Sequence, residues 1–346
     1  MHKIMDFRSD TVTRPTDEMR RVIANAEVGD DIYGDDPSSN ALAAYAAELT
    51  GKEAALYACS GTMGNLLAFV TAGHHGESII VGTRAHVWNF EVGGLSAIAG
   101  LCPYSVNDDK GIPSVDDINK AYHEPEDVHH APTTMLALEN THNFAGGIAV
   151  PVKDFAEVAR AGHKLGLHVH LDGARIFNAA VRQGVDVKEY TKEVDTVQFC
   201  LSKGLGAPLG SMICGTKEFI AKATKWRKRL GGSQRQLGIA AAAGLYALKN
   251  NIARLAEDHK NAERLSELLT KGGAAVEHAA NSTNMVFFDL GDSKVSGDDF
   301  VRVCAERGLL LDRAASPRRV RLVTHLDVDA EDVDRAAKII LEVMSA

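Results

Sequence analysis

No apolar run in this sequence is long enough to cross a bilayer. The longest weakly apolar stretch, GIAAAAGLYAL, stops at Lys249, short of the ~20 residues that a spanning helix needs. An excess of positive charge is also missing. Thirty-eight Lys and Arg against 46 Asp and Glu leave a net charge of -8, which argues against nucleic acid or an anionic membrane as a partner. Close cysteine pairs are absent. Cys59, Cys102, Cys200, Cys214 and Cys304 are scattered and odd in number, so neither a zinc ribbon nor a disulfide framework follows, and a reducing compartment fits. The start, MHKIMDFRSD, turns charged before an apolar core develops; no export signal is expected, and a cytoplasmic location is. The chain also lacks internal repeats, low-complexity tracts, a P-loop and a Gly-x-Gly-x-x-Gly fingerprint; Gly204, Gly206 and Gly210 have the wrong spacing for one.

What is present is 346 residues with 45% apolar and 24% charged side chains, enough for a sizeable core and about two domains. Short β-type runs alternate with helical patterns. The strand candidates are 55–59, 78–81, 102–106, 134–138, 168–171, 196–201 and 211–214, with helix-like segments near 61–72, 152–165 and 218–228. This alternation predicts an α/β fold, a mostly parallel seven-stranded sheet covered by helices. Apolar spacing then predicts one long helix over 238–269. After TKGGAA the pattern changes to TNMVFFDL, GDDFVRVCAERG, RRVRLVTH and a final helix over about 330–344, a smaller C-terminal α+β unit. The expected division is an N-terminal segment (1–24) outside the main sheet, a large domain (25–245) and a small one (246–346).

Three stretches carry chemistry. CSGTMGN (59–65) follows a strand and opens a helix; Gly61, Thr62 and Gly64 permit close backbone approach, and the helix start favours a phosphate. The bland alternative is a capped strand-to-helix turn. In LHVHLDGAR (167–175), His168, His170 and Asp172 share one strand face, and Asp172 falls at the carboxyl end, where open α/β sheets bind ligands. His-x-His-x-Asp also admits a metal site, but Gly173 stands where the zinc-hydrolase pattern carries its next histidine, so no metal is expected. In TVQFCLSKGLGAPLGSMIC (196–214), Lys203 ends an apolar run, where a free ammonium is costly to bury. A lysine there, an Asp on a neighbouring strand and a phosphate-type turn on a third suit covalently held pyridoxal 5'-phosphate: the aldehyde consumes the amine and the ring nitrogen takes a carboxylate. The plain alternative is a lysine that snorkels to solvent. In KATKWRKRLGGSQRQ (222–236), Lys228 and Arg235 become candidates for neutralising the phosphate.

Together these stretches resemble the L-threonine aldolase family, the low-specificity and L-allo-threonine aldolases among the fold type I pyridoxal-phosphate enzymes. The resemblance is carried in order by FRSDTVTRPT (7–16), GDDIYGDDPS (29–38), SGTMGN, AHVWNFE (85–91), LENTHN (138–143), HLDGARIFNA (170–179), LSKGLGAPLGS (201–211) and RLVTHLDV (321–328). It implies a transferase-like fold type I architecture and retro-aldol cleavage of β-hydroxy-α-amino acids. It also implies roles: Lys203 bonded to the cofactor, Asp172 on the pyridinium nitrogen, His86 stacked on the ring, and Gly61 and Thr62 on the phosphate with help from Lys228 and Arg235. Ser9, Arg175 and Arg321 would position the substrate carboxylate, Arg by its bidentate fork. Tyr33 matches a residue reaching the site from a neighbouring chain, His129 a histidine near the substrate hydroxyl. The base is open between His86, His129 and a water they hold. A homotetramer built from dimers is implied. Ser233, Gln234, His130, Pro132 and Trp88 depart from the family pattern, with substrate size or stereochemistry as what they would alter. Rival readings are a β-eliminating lyase or racemase on the same fold, a metal-dependent hydrolase, and an idle binding protein.

Overall fold

A computed structural model describes residues 3–291, 293–313 and 316–345. Its main sheet has seven strands lying side by side in the order Ala54–Ala58, Ser211–Gly215, Thr196–Cys200, His168–Asp172, Thr133–Glu139, Ser78–Gly82 and Cys102–Val106. Ser211–Gly215 runs antiparallel to both of its neighbours, and the other strand pairs are parallel. All seven runs expected from the sequence form the sheet, each within about a residue or two of its expected ends.

The period-2 alternation behind those runs is visible in the packing. Ile80, Leu136, Leu138, Val169 and Leu171 belong to one buried cluster; Ile79, Val81, Met135 and Ala137 belong to another. Successive side chains point to opposite faces of a sheet, so a strand buried on both sides feeds two cores, as parallel strands do. Helices Gly61–Ala72, Val152–Lys164 and Lys217–Arg229 cover it.

The long helix expected over 238–269 is two helices, Gly238–Asn250 and Leu255–Lys271. Asn251 caps the first and its Nδ2 donates to Leu205 O at 2.7 Å. The break therefore pins the loop that carries Lys203. Apolar spacing missed it because Leu248, Ile252 and Leu255 stay in step across the interruption.

A four-stranded antiparallel sheet is formed by Ala275–Glu277, Met285–Asp289, Asp312–Arg313 and Arg319–Val323. It packs with helices Leu255–Lys271, Gly297–Glu306 and Ala330–Met344 around Leu265, Val286, Phe288, Phe300, Leu322 and Ile340. Met5 and Phe7 are buried in this second core, and Met5–Asp6 pairs in parallel with Leu309–Leu310. The N-terminal segment lies outside the main sheet and continues from there to the carboxyl edge of the large one. No helix among the described residues is long and apolar enough to span a membrane.

Candidate active site

The carboxyl edge of the parallel strands holds a cavity of about 390 Å³, whose walls include Ser60, Gly61, Thr62, Asn65, His86, Glu91, Asp172, Gln198, Cys200 and Lys203. A second cavity of about 350 Å³ shares Thr11, His86 and Lys203 with the first and adds Ser9, Phe90, Asn143, Phe144, Arg175 and Arg321. Lys203 and His86 thus stand where the two compartments meet.

The first compartment is floored by the strand-to-helix turn at Ser60. Ser60 caps the helix Gly61–Ala72 by accepting from Met63 N. The N–H groups of a helix's first turn have no partner within the helix and carry the positive end of its dipole. A Cβ on Gly61 would lie 2.8 Å from Cys200 Sγ and 2.9 Å from Gln198 Nε2, so only glycine lets the helix start pack this closely against the strand Thr196–Cys200. Gln198 Oε1 and Ser211 Oγ are buried without a hydrogen-bond partner, beside that contact.

Asp172 ends the strand His168–Asp172 and is buried. Its Oδ1 accepts from Ala174 N at 3.1 Å and its Oδ2 from Asn65 Nδ2 at 3.0 Å. The same Nδ2 donates to Glu91 Oε1 at 2.9 Å, and Asn65 Oδ1 faces His170 Nε2 at 3.1 Å. His170 and His168 both contact Thr196 Oγ1, and burial pushes the His170 imidazole down to about 3. The two histidines of the alternative metal reading are therefore engaged inside the sheet and with Asn65.

Lys203 lies in the loop after Thr196–Cys200. Its carbonyl accepts from Gly206 N at 2.8 Å and from Thr13 Oγ1 at 3.1 Å. The glycines that follow it have distinct reasons: Gly206 has φ +79°, and a Cβ on Gly204 would meet Leu255 Cδ2 at 2.9 Å.

The second compartment is cationic. Arg175 donates Nε and Nη2 to Asp10 at 2.7 and 2.6 Å, both residues being buried. Burial alone would raise the Asp10 carboxyl, but the Arg175 guanidinium holds it well below the usual carboxylate range. Arg321 reaches Asn143 Oδ1 and Asp312 Oδ2 at 3.3 and 3.0 Å, and its Nε is buried and unpaired. Burial and the neighbouring Arg175 lower its pKa. The repulsion between Arg175 and Arg321 and the unpaired Arg321 Nε describe a site suited to a carboxylate.

The structure thus gathers Gly61, Thr62, His86, Asp172 and Lys203 around one compartment and Ser9, Arg175 and Arg321 around the other. Tyr33, His129, Lys228 and Arg235 line neither. Tyr33 is 79% exposed, His129 and Lys228 are exposed, and Arg235 pairs with Asp30 at 3.0 Å. Asn65, Glu91, Asp10, Glu139 and Gln198 had no role assigned from sequence. All five lie inside stretches singled out from the sequence, which was the available signal.

A fold type I pyridoxal-phosphate enzyme is the class to which this architecture is close. A threonine aldolase structure from Leishmania major superposes with a TM-score of 0.83 at 18% identity, covering 98% of this chain and 99% of that one. A serine palmitoyltransferase solved with a pyridoxal-phosphate internal aldimine gives 0.78 at 16%, covering 98% and 87%. At such identities the likeness is one of fold. The Beta-eliminating lyase family matches residues 6–292. The low specificity L-threonine aldolase of Escherichia coli K12 is 44% identical over 96% of this chain and 97% of its own. The low-specificity L-threonine aldolase 1 of Arabidopsis thaliana is 43% identical over 95% and 93%. The chain belongs to this lyase family, on its L-threonine aldolase branch.

Proposed function

We propose that the protein is a pyridoxal-phosphate-dependent aldolase that cleaves L-threonine, L-allo-threonine and related β-hydroxy-α-amino acids to glycine and an aldehyde. The observation that carries the reading is the meeting of the two compartments at Lys203 and His86, with Asp172 in the first and Arg175 and Arg321 in the second. The residues present fit the cofactor: Lys203 would hold its aldehyde, Asp172 its ring nitrogen, and the first-turn N–H groups at Gly61 and Thr62, which line the same cavity, its phosphate. Bound there, pyridoxal phosphate supplies the sink for the electron pair released when the Cα–Cβ bond breaks.

This chain's own groups do the rest. Arg175 and Arg321 bind the substrate carboxylate and orient Cα–Cβ for cleavage. His86 accepts the proton of the β-hydroxyl as the aldehyde departs. Cα then takes a proton, giving glycine, so that the hydroxyl proton lost and the Cα proton gained balance. Lys203, at the same junction, is placed to deliver it.

The reading extends to a cytoplasmic homotetramer built from dimers, acting on small amino acids rather than on nucleic acid or membranes. Its support is that Tyr33, His129, Lys228 and Arg235 lie outside their own chain's compartments, with Tyr33, His129 and Lys228 exposed where a neighbouring copy can use them. The test is product identification from the four threonine stereoisomers with the purified holoprotein. Glycine and acetaldehyde from the L-isomers support aldol cleavage. A keto acid with ammonia indicates elimination instead, and metal-dependent hydrolysis of other substrates would overturn the class.

A further inference from the structure

We infer that Glu91 is the positioning residue that holds His86 with its proton on Nδ1, leaving Nε2 as the basic atom at the junction of the two compartments. The inference deepens the function proposed above and rests on it only for the reaction that this base serves.

The hydrogen-bond pattern leaves one consistent assignment. Asn65 Nδ2 faces two carboxylates, Asp172 and Glu91, and Oδ1 faces His170. The reverse amide orientation would set an oxygen against both carboxylates, so Nδ2 is the donor to each. Glu91 Oε1 is therefore an acceptor toward Asn65. His86 Nδ1 meets that same Oε1 at 3.1 Å, and the consistent donor there is Nδ1–H. The backbone fixes the ring's base: His86 N donates to Glu139 Oε2 at 2.7 Å. The two side chains differ in access, Glu91 being 4% exposed and His86 33%. Both line the first compartment, the carboxylate as the deeper group and the imidazole as the more open one.

Charge supports the geometry. Burial works to lower the His86 pKa, but the bond to Glu91 and the charges of Asp172 and Glu91 outweigh it and raise the value, while Lys203 opposes them. Burial and the nearby Asp172 carboxylate raise Glu91. Two carboxylates bridged by one amide favour a positive charge beside them, which His86 supplies when Nε2 takes a proton while Nδ1–H stays directed at Glu91. The groups facing His86 are thus Glu91 beyond its own short helix, Asp172 and Glu139 at two strand ends, Lys203 in the loop after a third, and Arg175, Asp312, Arg313 and Arg321 across the second compartment.

The test begins on cofactor-free protein labelled with ¹⁵N-histidine, the His86 signal being assigned by its loss in His86→Phe. Neutral His86 should show the Nδ1–H tautomer; a dominant Nε2–H tautomer overturns the inference. In Glu91→Gln, whose Oε1 can still accept from Nδ1–H, the tautomer should persist while the His86 titration moves to lower pH. An unmoved titration overturns it. If that variant fails to fold, the wild-type tautomer still decides. In the holoenzyme, the acid limb of kcat/KM should move to lower pH in Glu91→Gln, and Glu91→Leu should lose ~10²-fold or more in kcat/KM. A wild-type holoenzyme without aldolase activity would refute the function proposed above and leave the tautomer result to be judged on its own.

Discussion

Asp10 and Arg175 share two hydrogen bonds, at 2.7 and 2.6 Å, inside the protein and 165 residues apart in sequence. Asn284 Nδ2 adds a third contact to Asp10 at 3.3 Å, so the N-terminal segment, the large sheet and the small sheet meet at one carboxylate. Removing one member of a buried ion pair leaves the other charged and unmatched, at a cost of about 3–5 kcal/mol. Asp10→Ala should therefore lower the urea midpoint strongly at neutral pH and raise KM through a displaced Arg175. Because folding depresses the Asp10 pKa, its contribution is present above the unfolded value of about 3.9 and is lost as pH falls below it. The gap between variant and wild type should narrow in that acid range. An equal gap at all pH values would mean that charge is not what Asp10 contributes.

Gly61→Ala tests the floor of the first compartment without touching a charge. The added methyl meets Cys200 Sγ and Gln198 Nε2 under 3.0 Å, so the helix start must move off the strand and carry its phosphate-facing N–H groups with it. The fold should persist, since the position begins a helix and alanine favours helices. Titration of cofactor-free protein with pyridoxal phosphate should show affinity reduced by ~10-fold or more, about 1.4 kcal/mol. Unchanged affinity would place the phosphate elsewhere.

Lys203→Ala should abolish the visible absorption of the holoprotein and nearly all turnover. Circular dichroism should remain close to wild type, because the loop is held by backbone bonds from Gly206 and by Thr13 rather than by the amine. A variant that keeps full activity would end the covalent-cofactor reading.

Much of this arrangement is legible without coordinates, for local reasons. The seven strands declare themselves by β-rich apolar runs, and Lys203 and Asp172 stand out because charged groups at the ends of such runs need a partner. The network behind them does not declare itself. Asn65 meets Asp172 across 107 residues, and periodicity carries no information about which turn of the chain ends up beside which. Glu91 reads as an ordinary helix-flanking acid until His86 and Asn65 are seen against it. The break at Asn251 is hidden for the opposite reason, since the apolar phase continues through it and the hydrogen bond to Leu205 that stabilises it is long-range.

Phe90 and Phe144 stack with centroids 4.5 Å apart and planes 7° from parallel, forming an aromatic wall in the substrate-side compartment. Such a stack contributes about 0.5–1.5 kcal/mol beyond area burial. Phe144→Ala removes half the wall and frees Phe90 to turn. The ratio of kcat/KM for β-phenylserine over threonine should fall by roughly 2- to 10-fold, the range that the same energy implies. A ratio that stays constant while both rates drop would assign Phe144 to holding the loop rather than to side-chain selection.

His170 makes stability sensitive to acid in a direction that can be worked out. Burial pushes its pKa down to about 3, whereas the unfolded imidazole titrates near 6.5. Below that unfolded value the denatured chain binds a proton that the native site refuses, so stability falls as pH drops from about 6.5 toward 3. At pH 5 the loss from this one residue is about 2 kcal/mol. His170→Gln keeps a donor for Asn65 Oδ1 and removes the titration. Urea midpoints at pH 7 and pH 5 should therefore differ less in the variant than in the wild type, other histidines contributing equally to both. Equal differences would show that His170 is protonated in the native site, with Thr196 Oγ1 then accepting from Nδ1–H while Nε2–H still donates to Asn65 Oδ1.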